Sequence, residues 1–147
     1  ASTGIFYNHE SQRRSQKYVT RKITRTIAKI NAGLEDKLFL GDINMRIDWG
    51  YAKEYMEAAW QMLQHEKPED FVIATGETHT VQEFAEAACN EAGLDFKKVK
   101  RIADKYKRPN EVDYLCGDTA KAKKILGWKP KTKFKNLISI MLKHDAK

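Results

Sequence analysis

The sequence predicts an α/β fold, and three observations carry that prediction. Short apolar runs typical of strands alternate with stretches whose apolar residues recur every three or four positions, as in helices. Glycines stand where three of the helical patterns end, at Gly33, Gly93 and Gly127, and glycine readily closes a helix. The 147-residue chain is 41% hydrophobic and 32% charged, which is typical of a globular domain with a buried core.

The first elements follow from local patterns. Residues 4–8 are expected to end a short strand, and the polar segment 9–19 is expected to be a loop. Thr20 is the expected N-cap of a helix with isoleucines on one face. These isoleucines are Ile23, Ile27 and Ile30. Residues 37–40 are a second strand candidate.

In the middle of the chain, the sequence pattern predicts a helix followed by a buried strand. Asp48 is the expected cap of a helix that ends before Pro68. Its expected apolar stripe is Ala52, Tyr55, Met56, Ala59, Trp60 and Leu63. The continuous apolar run 71–74 is typical of a strand buried on both faces. Few other strands are available to flank it, so we expect part of a sheet to lie outside this chain.

The sequence patterns from residue 80 onward predict one strand and three helices. Thr80 and Glu83 have capping-box spacing and open a helix. Its apolar face is Phe84, Ala85, Ala88 and Cys89. A strand is expected at 99–102, and Asp118 is the expected cap of helix 120–126. The last helix carries Phe134, Leu137, Ile138, Met141 and Leu142.

The charge distribution favours an anionic partner. The formal charge is +7, from 27 Lys and Arg against 20 Asp and Glu. Basic residues concentrate in segments 13–29, 97–108 and 121–135. Such clusters suit the phosphates of a nucleotide or a nucleic acid. Three solvated basic faces would have the same composition, so charge alone leaves both interpretations open.

Several common kinds of site are not predicted. The histidines are scattered without metal-ligand spacing, and no glycine-rich phosphate loop or GxSxG motif occurs. Cys89 is expected in the core, and Cys116 is expected to be an inert thiol. We expect no disulfide, no metal and no membrane span. Because no signal peptide is apparent, a cytoplasmic location is expected.

Two polar clusters are candidate sites. In segment 8–14, Arg13 and Arg14 follow a strand and precede a helix, where they could clamp a phosphate. A solvated basic loop is the alternative. In segment 108–113, Pro109 restricts Arg108 to extended geometry. A structural turn explains that spacing equally well.

Five colinear stretches resemble the GDP-mannose 4,6-dehydratase family. They are residues 4–14 with 19–23, then 48–53, 71–77, 108–113 and 126–130. The resemblance implies an extended short-chain dehydrogenase/reductase. It begins just after the point where the family's catalytic Tyr-x-x-x-Lys helix ends. The chain is therefore expected to be the C-terminal GDP-sugar-binding portion, over residues 1–147, without the N-terminal dinucleotide-binding portion or catalytic residues.

In fold terms, the resemblance implies a small mixed α/β substrate domain plus strands of a Rossmann sheet whose N-terminal part lies elsewhere. The whole enzyme would convert GDP-mannose to GDP-4-keto-6-deoxymannose with NADP, on the route to GDP-fucose and related deoxy sugars. It would be a homodimer or homotetramer. The portion alone is expected to be inactive.

The resemblance also assigns contacts residue by residue. The implied NADP contacts are His9, Arg13 and Arg14. The implied GDP-mannose contacts are Asn8, Lys22, Arg108 and Glu111. The family usually has Pro at Gln12, Gly at Ser15 and Arg at Ile47, so Arg46 is the candidate replacement for that arginine.

Two other classes of function remain open from the sequence. One is a stand-alone nucleotide-sugar-binding or regulatory module. The other is a basic nucleic-acid-binding protein, which is disfavoured because no recognition motif occurs. Its possible stacking residues, Trp49, Trp60 and Trp128, are expected in the core or in turns rather than on a platform.

Overall fold

The alternating pattern of strands and helices is present in the computed structural model, which describes residues 1–106 and 112–147. The strands are β1 (Gly4–Phe6), β2 (Asn8–Glu10), β3 (Leu38–Leu40), β4 (Arg46–Ile47), β5 (Trp49–Tyr51), β6 (Phe71–Ile73), β7 (His79–Thr80), β8 (Lys100–Ile102) and β9 (Tyr114–Leu115). The helices are α1 (Val19–Asn31), α2 (Ala52–Gln64), α3 (Val81–Glu91), α4 (Phe96–Val99), α5 (Ala120–Leu126) and α6 (Phe134–Asp145). A 3-10 turn spans Asp104–Tyr106. The predicted mixed α/β class is confirmed.

Short sheets, mostly parallel, join distant parts of the described chain. Strand β1 pairs with β6, β2 with β5, and β3 with β8, all in parallel. Strand β4 lies between β7, which is antiparallel to it, and β9, which is parallel. Ile5 pairs with Val72 in the first sheet. The expected central strand, β6, therefore has only β1 beside it among the described residues.

Helices α1, α3 and α6 enclose the larger core, called here the three-helix core. Its central side chains are fully buried and include Ile23, Ile27, Phe84, Leu137 and Met141. Trp49 packs edge-on against Phe84, with ring centroids 5.4 Å apart. The predicted apolar faces of these three helices are confirmed, because each one points into this core.

A second, smaller core lies between α2, α5 and the β1–β6 sheet; these elements are called here the α2 layer. Tyr55, Phe71, Ile73 and Ala122 are buried in it. Trp128 packs edge-on against Tyr55, with ring centroids 5.7 Å apart, and its indole N–H donates to the Glu54 carbonyl at 3.0 Å. The layer therefore joins the C-terminal third of the chain to α2.

The capping box of α3 and three glycine helix ends agree with the sequence. Thr80 accepts from the Glu83 amide at 2.9 Å, and the Glu83 carboxylate accepts from the Thr80 amide at 3.0 Å. Gly33, Gly93 and Gly127 have φ between 66° and 72°. Those left-handed values disfavour a side chain, so glycine is suited to these three helix ends.

Several local predictions are wrong, and each is overturned by contacts distant in sequence. Helix α1 follows Tyr18, while the Thr20 side chain lies inside the helix and donates to Glu10. Asp48 lies between β4 and β5 and does not cap α2. Strand β2 occupies part of the segment expected to be a loop. Strands β4 and β5 have only two and three residues, which is too short for an apolar pattern to predict them.

The predicted apolar stripe of α2 is also wrong in most positions. The buried residues of this helix are Glu54, Tyr55, Ala58 and Met62. Met56, Trp60 and Leu63 are 52%, 63% and 78% exposed and form what is called here the open face of α2. Helix α2 therefore has apolar residues on two sides, and the described residues cover only one of them.

Candidate functional site

The basic loop between β2 and α1 is positioned by the pairing of β2 with β5. His9 lies opposite Gly50 in that pairing. Its Nδ1 atom lies 2.8 Å from the Tyr7 carbonyl oxygen, and a carbonyl only accepts, so Nδ1 carries a proton. The ring also packs against Tyr55, with centroids 5.1 Å apart. These contacts fix the orientation of the imidazole.

Glu10 and Arg14 form a partly buried ion pair in the same loop. Arg14 Nε lies 3.2 Å from Glu10 Oε2, and the guanidinium carbon lies 3.5 Å from the centroid of the Tyr18 ring. Thr20 donates its hydroxyl to Glu10 Oε2 at 2.6 Å. Burial raises the pKa of Glu10, while the Thr20 hydrogen bond and the Arg14 charge act against that rise.

The surface around this loop is concave and basic. A concavity of about 570 Å³ is lined by residues 12–17 and Arg21. Arg13 also lines a second concavity of about 410 Å³, shared with Tyr51 and Lys53. The first turn of α1 carries no acidic residue, so the positive end of the helix dipole adds to the field of the arginines. The arrangement is suited to anionic groups.

Lys22 lies one helical turn beyond this loop, close to a different segment. Its ammonium lies 3.3 Å from the centroid of the Tyr106 ring. Burial lowers the pKa of Lys22, and the nearby Lys105 charge lowers it further. Tyr18 and Lys22 also have Tyr-x-x-x-Lys spacing, but the Tyr18 ring covers Arg14 and the Lys22 ammonium contacts Tyr106.

Arg46 lies on β4, which belongs to a different sheet from β2 and the basic loop. Its guanidinium donates to the Thr78 hydroxyl at 3.2 Å and to the Thr78 carbonyl at 2.9 Å, and lies 3.6 Å from a Glu83 oxygen. Ile47 packs against the three-helix core. The Arg46 side chain is 42% exposed, so part of its guanidinium remains open to a further anion while Thr78 holds Nε and one terminal nitrogen.

The structure thus brings some of the predicted site residues together around the basic loop, while others lie elsewhere or outside the described residues. Asn8, His9, Arg13 and Arg14 lie on β2 and the loop after it, and Lys22 lies on the adjoining helix. Arg108 and Glu111 lie outside the described residues, so their predicted contacts with GDP-mannose stay predictions.

Asp48 is an important residue whose role sequence reasoning missed. It is fully buried, and one carboxylate oxygen accepts from the Thr75 amide at 2.8 Å and the Thr75 hydroxyl at 2.6 Å. The other accepts from the Gly76 amide at 2.9 Å and the Gly117 amide at 3.2 Å. Asp48 therefore joins the loop after β6 to the loop after β9. No local signal identifies it, because every donor is distant in sequence.

Among the described residues, the other candidate chemistries lack the groups they need. No set of three or more His, Cys, Asp or Glu side chains there could hold a metal ion. Cys89 is buried in the three-helix core, and burial raises the pKa of its thiol to about 11. No helix in this part of the chain is long and apolar enough to cross a membrane.

Comparison with known proteins gives one consistent result. Residues 1–141 match the family model for GDP-mannose 4,6 dehydratase. The chain is 52% identical to GDP-mannose 4,6 dehydratase 1 of Arabidopsis thaliana and 45% identical to the human GDP-mannose 4,6 dehydratase, over 99% of its length. It spans only 40% and 44% of those relatives.

Solved structures show the same fold. RMD of Pseudomonas aeruginosa, solved with NADPH, superposes with a TM-score of 0.86 at 21% identity, covering 97% of this chain and 47% of that one. A dTDP-glucose 4,6-dehydratase of Bacillus anthracis, solved with NAD, superposes with a TM-score of 0.80 at 16% identity. The superposition covers 96% of this chain and 43% of that one.

Proposed function

The chain belongs to the GDP-mannose 4,6 dehydratase family, and from that premise we propose that it forms the GDP-sugar-binding portion of such an enzyme. The enzyme would convert GDP-mannose to GDP-4-keto-6-deoxymannose, a precursor of GDP-fucose and related deoxy sugars. The observation that carries this proposal is the 52% identity over 99% of the chain to a relative of that name.

The basic loop is the part of this chain proposed to contact NADP. When bound, the cofactor would take a hydride from the sugar and return it after water is lost. His9 presents an imidazole of fixed orientation, Arg14 presents a guanidinium fixed by Glu10, and Arg13 is exposed beside them. Arginine forks are suited to phosphate oxygens, so the residues present fit the group.

The substrate contacts are proposed to lie on the helix side of the same loop. Lys22 is held against Tyr106, and the residues after Tyr106 include Arg108 and Glu111. Asn8 begins the strand that leads into the loop. We propose that Lys22 and Arg108 contact the nucleotide diphosphate. Arg46 is already bonded to Thr78 and lies near Glu83, so it is the weakest member of the proposed set.

The open surfaces of the α2 layer support the proposal that another part of the enzyme packs against them. Strand β1 is paired on one edge only among the described residues, and Ile5 is 53% exposed. The open face of α2 adds Met56, Trp60 and Leu63. Unpaired edges and apolar patches of this kind are usually covered in a working protein. We propose that the rest of the enzyme supplies a dinucleotide-binding sheet that covers them, in a homodimer or homotetramer.

A reconstitution experiment tests the proposed function. This chain is co-expressed with the part of the Arabidopsis relative that it does not span, and the purified pair, called here the reconstituted protein, receives GDP-mannose and NADP. We expect production of the keto sugar by the pair and by neither part alone. A pair that assembles but gives no keto sugar would contradict the proposal, and turnover by this chain alone would contradict its role as a binding portion.

A further inference from the structure

Arg14 is held in one orientation from two sides, although it lies in a polar loop. The inner nitrogen, Nε, lies 3.2 Å from Glu10 Oε2 in an ion pair that lacks hydrogen-bond geometry, and one face of the guanidinium lies 3.5 Å from the Tyr18 ring centroid. The side chain remains 26% exposed and lines the concavity beside residues 12–17. The inner edge and one face are therefore occupied, while the side chain still reaches the concavity.

Glu10 is the group that fixes this arrangement. Its carboxylate is 2% exposed and sits between the Thr20 hydroxyl, at 2.6 Å, and Arg14. A buried carboxylate needs both hydrogen bonds and a nearby positive charge. Thr20 is itself buried within α1, so the carboxylate is tied to a rigid helix. Arg14 takes its direction from that helix through Glu10.

Arg13, the neighbour of Arg14, differs from it in how its guanidinium is held. Arg13 is exposed, and in the described part of the chain its guanidinium has no ion-pair partner or aromatic ring against it. A free arginine loses side-chain entropy when it binds, whereas a held arginine has already lost it. The two adjacent arginines are therefore unequal, and Arg14 is the better prepared for a phosphate.

We propose that Glu10 is the positioning residue for Arg14, and that with Tyr18 it presents the outer edge of the guanidinium to a phosphate of the bound nucleotide. This inference rests on the proposed function of the loop. It adds a residue that touches no ligand and acts through Arg14. It also assigns Arg13 a smaller contribution than Arg14, although both are adjacent and equally charged.

A double-mutant cycle in the reconstituted protein tests the proposal. The measured quantity is the dissociation constant for NADP, obtained by calorimetric titration at fixed salt. Glu10→Gln should weaken binding about two- to tenfold, the effect expected when one long side chain must be ordered on binding. In the Arg14→Ala background, the same Glu10→Gln change should have almost no effect, because there is no guanidinium left to position.

Variants at Tyr18 separate positioning from folding. Tyr18 is half exposed, so changes there should leave the fold intact. Tyr18→Phe keeps the ring face and should bind NADP like the parent. Tyr18→Leu removes the ring and should weaken binding about threefold. Arg13→Ala should cost less affinity than Arg14→Ala.

The possible failures are distinguishable. If Arg14→Ala leaves NADP affinity unchanged, the proposed cofactor role of the loop is wrong. If Arg14→Ala weakens binding but Glu10→Gln does not, only the positioning role is wrong. Tighter binding by Glu10→Gln would mean that the carboxylate competes with the phosphate, which also overturns the inference.

Discussion

The three-helix core and the α2 layer differ in how completely they bury their apolar side chains. Helices α1, α3 and α6 each direct one apolar face inward, and Ile27 and Met141 are fully buried among them. Helix α2 buries Tyr55 and Ala58 but leaves Trp60 and Leu63 largely exposed. Among the described residues, the first region therefore buries its apolar faces fully, whereas the second leaves one apolar face of α2 exposed.

The two regions are joined through Asp48, and removing it should have the largest effect. Asp48→Ala leaves the amides of Thr75, Gly76 and Gly117 without their acceptor. The Gly117 amide is left buried without a partner, and the other two amides are partly exposed. Because hydrogen bonds to a charged group contribute about 1.5–3 kcal/mol each, we expect the free energy of unfolding to fall by roughly 3–5 kcal/mol. Urea denaturation of the isolated chain measures this.

Asp118 is the matched control for that experiment. It is an exposed aspartate that accepts only from the Ala120 amide, at 2.9 Å. The predicted cap at Asp118 is wrong, because the N-cap of α5 is Thr119. Asp118→Ala removes one exposed hydrogen bond and should cost about 1 kcal/mol or less. Equal losses at both positions would mean that Asp48 does not join the two regions.

A pair of truncations tests the contrast between the two regions directly. Ile27→Ala removes a fully buried side chain from the three-helix core and should destabilise the isolated chain by roughly 2–5 kcal/mol. Leu63→Ala removes one that is 78% exposed and should change stability by less than about 0.5 kcal/mol. Thermal or urea unfolding measures the change in stability of both variants. A large loss from Leu63→Ala would show that the open face is buried within this chain.

The open face should become important when the rest of the enzyme is present. Trp60→Ala should weaken association of the two parts of the reconstituted protein by about tenfold or more, because buried aromatic residues dominate interface energy. Analytical ultracentrifugation measures that association. Gln64→Ala, near the end of the same helix, is the polar control. Unchanged association in Trp60→Ala would place the covering portion elsewhere.

The smallest expected effect is the pH dependence contributed by Glu10. Its pKa is raised in the folded chain, mainly by burial. Its protonated form is therefore favoured by folding, and that stabilisation is fully present below the unfolded pKa of about 4.3. It is lost as pH rises through the higher folded pKa.

The measurement compares the parent chain with Glu10→Gln from pH 4 to pH 7. The parent's free energy of unfolding, relative to the variant, should fall over the lower part of that range and then level off. A relative stability that rises with pH would mean that Arg14 and Thr20 stabilise the carboxylate by more than burial costs it.

Much of the candidate site was accessible from sequence because it is local. His9, Arg13 and Arg14 are neighbours in the chain, so a single loop brings them together. The contact of Lys22 with Tyr106 and the burial of Glu10 against Thr20 were not accessible, because they depend on how β2 and the 3-10 turn pack beside α1. The proposed positioning of Arg14 follows only from that packing.

Elements with short-range signals follow from the sequence alone. The Thr80–Glu83 capping box, the glycine at the end of α3 and the isoleucine face of α1 require only neighbouring residues, and all three are present in the structure. The role of Asp48 and the buried side of α2 depend on contacts between distant segments. A carboxylate binds whichever donors the fold brings to it, and a helix with two apolar sides buries the one its neighbours reach.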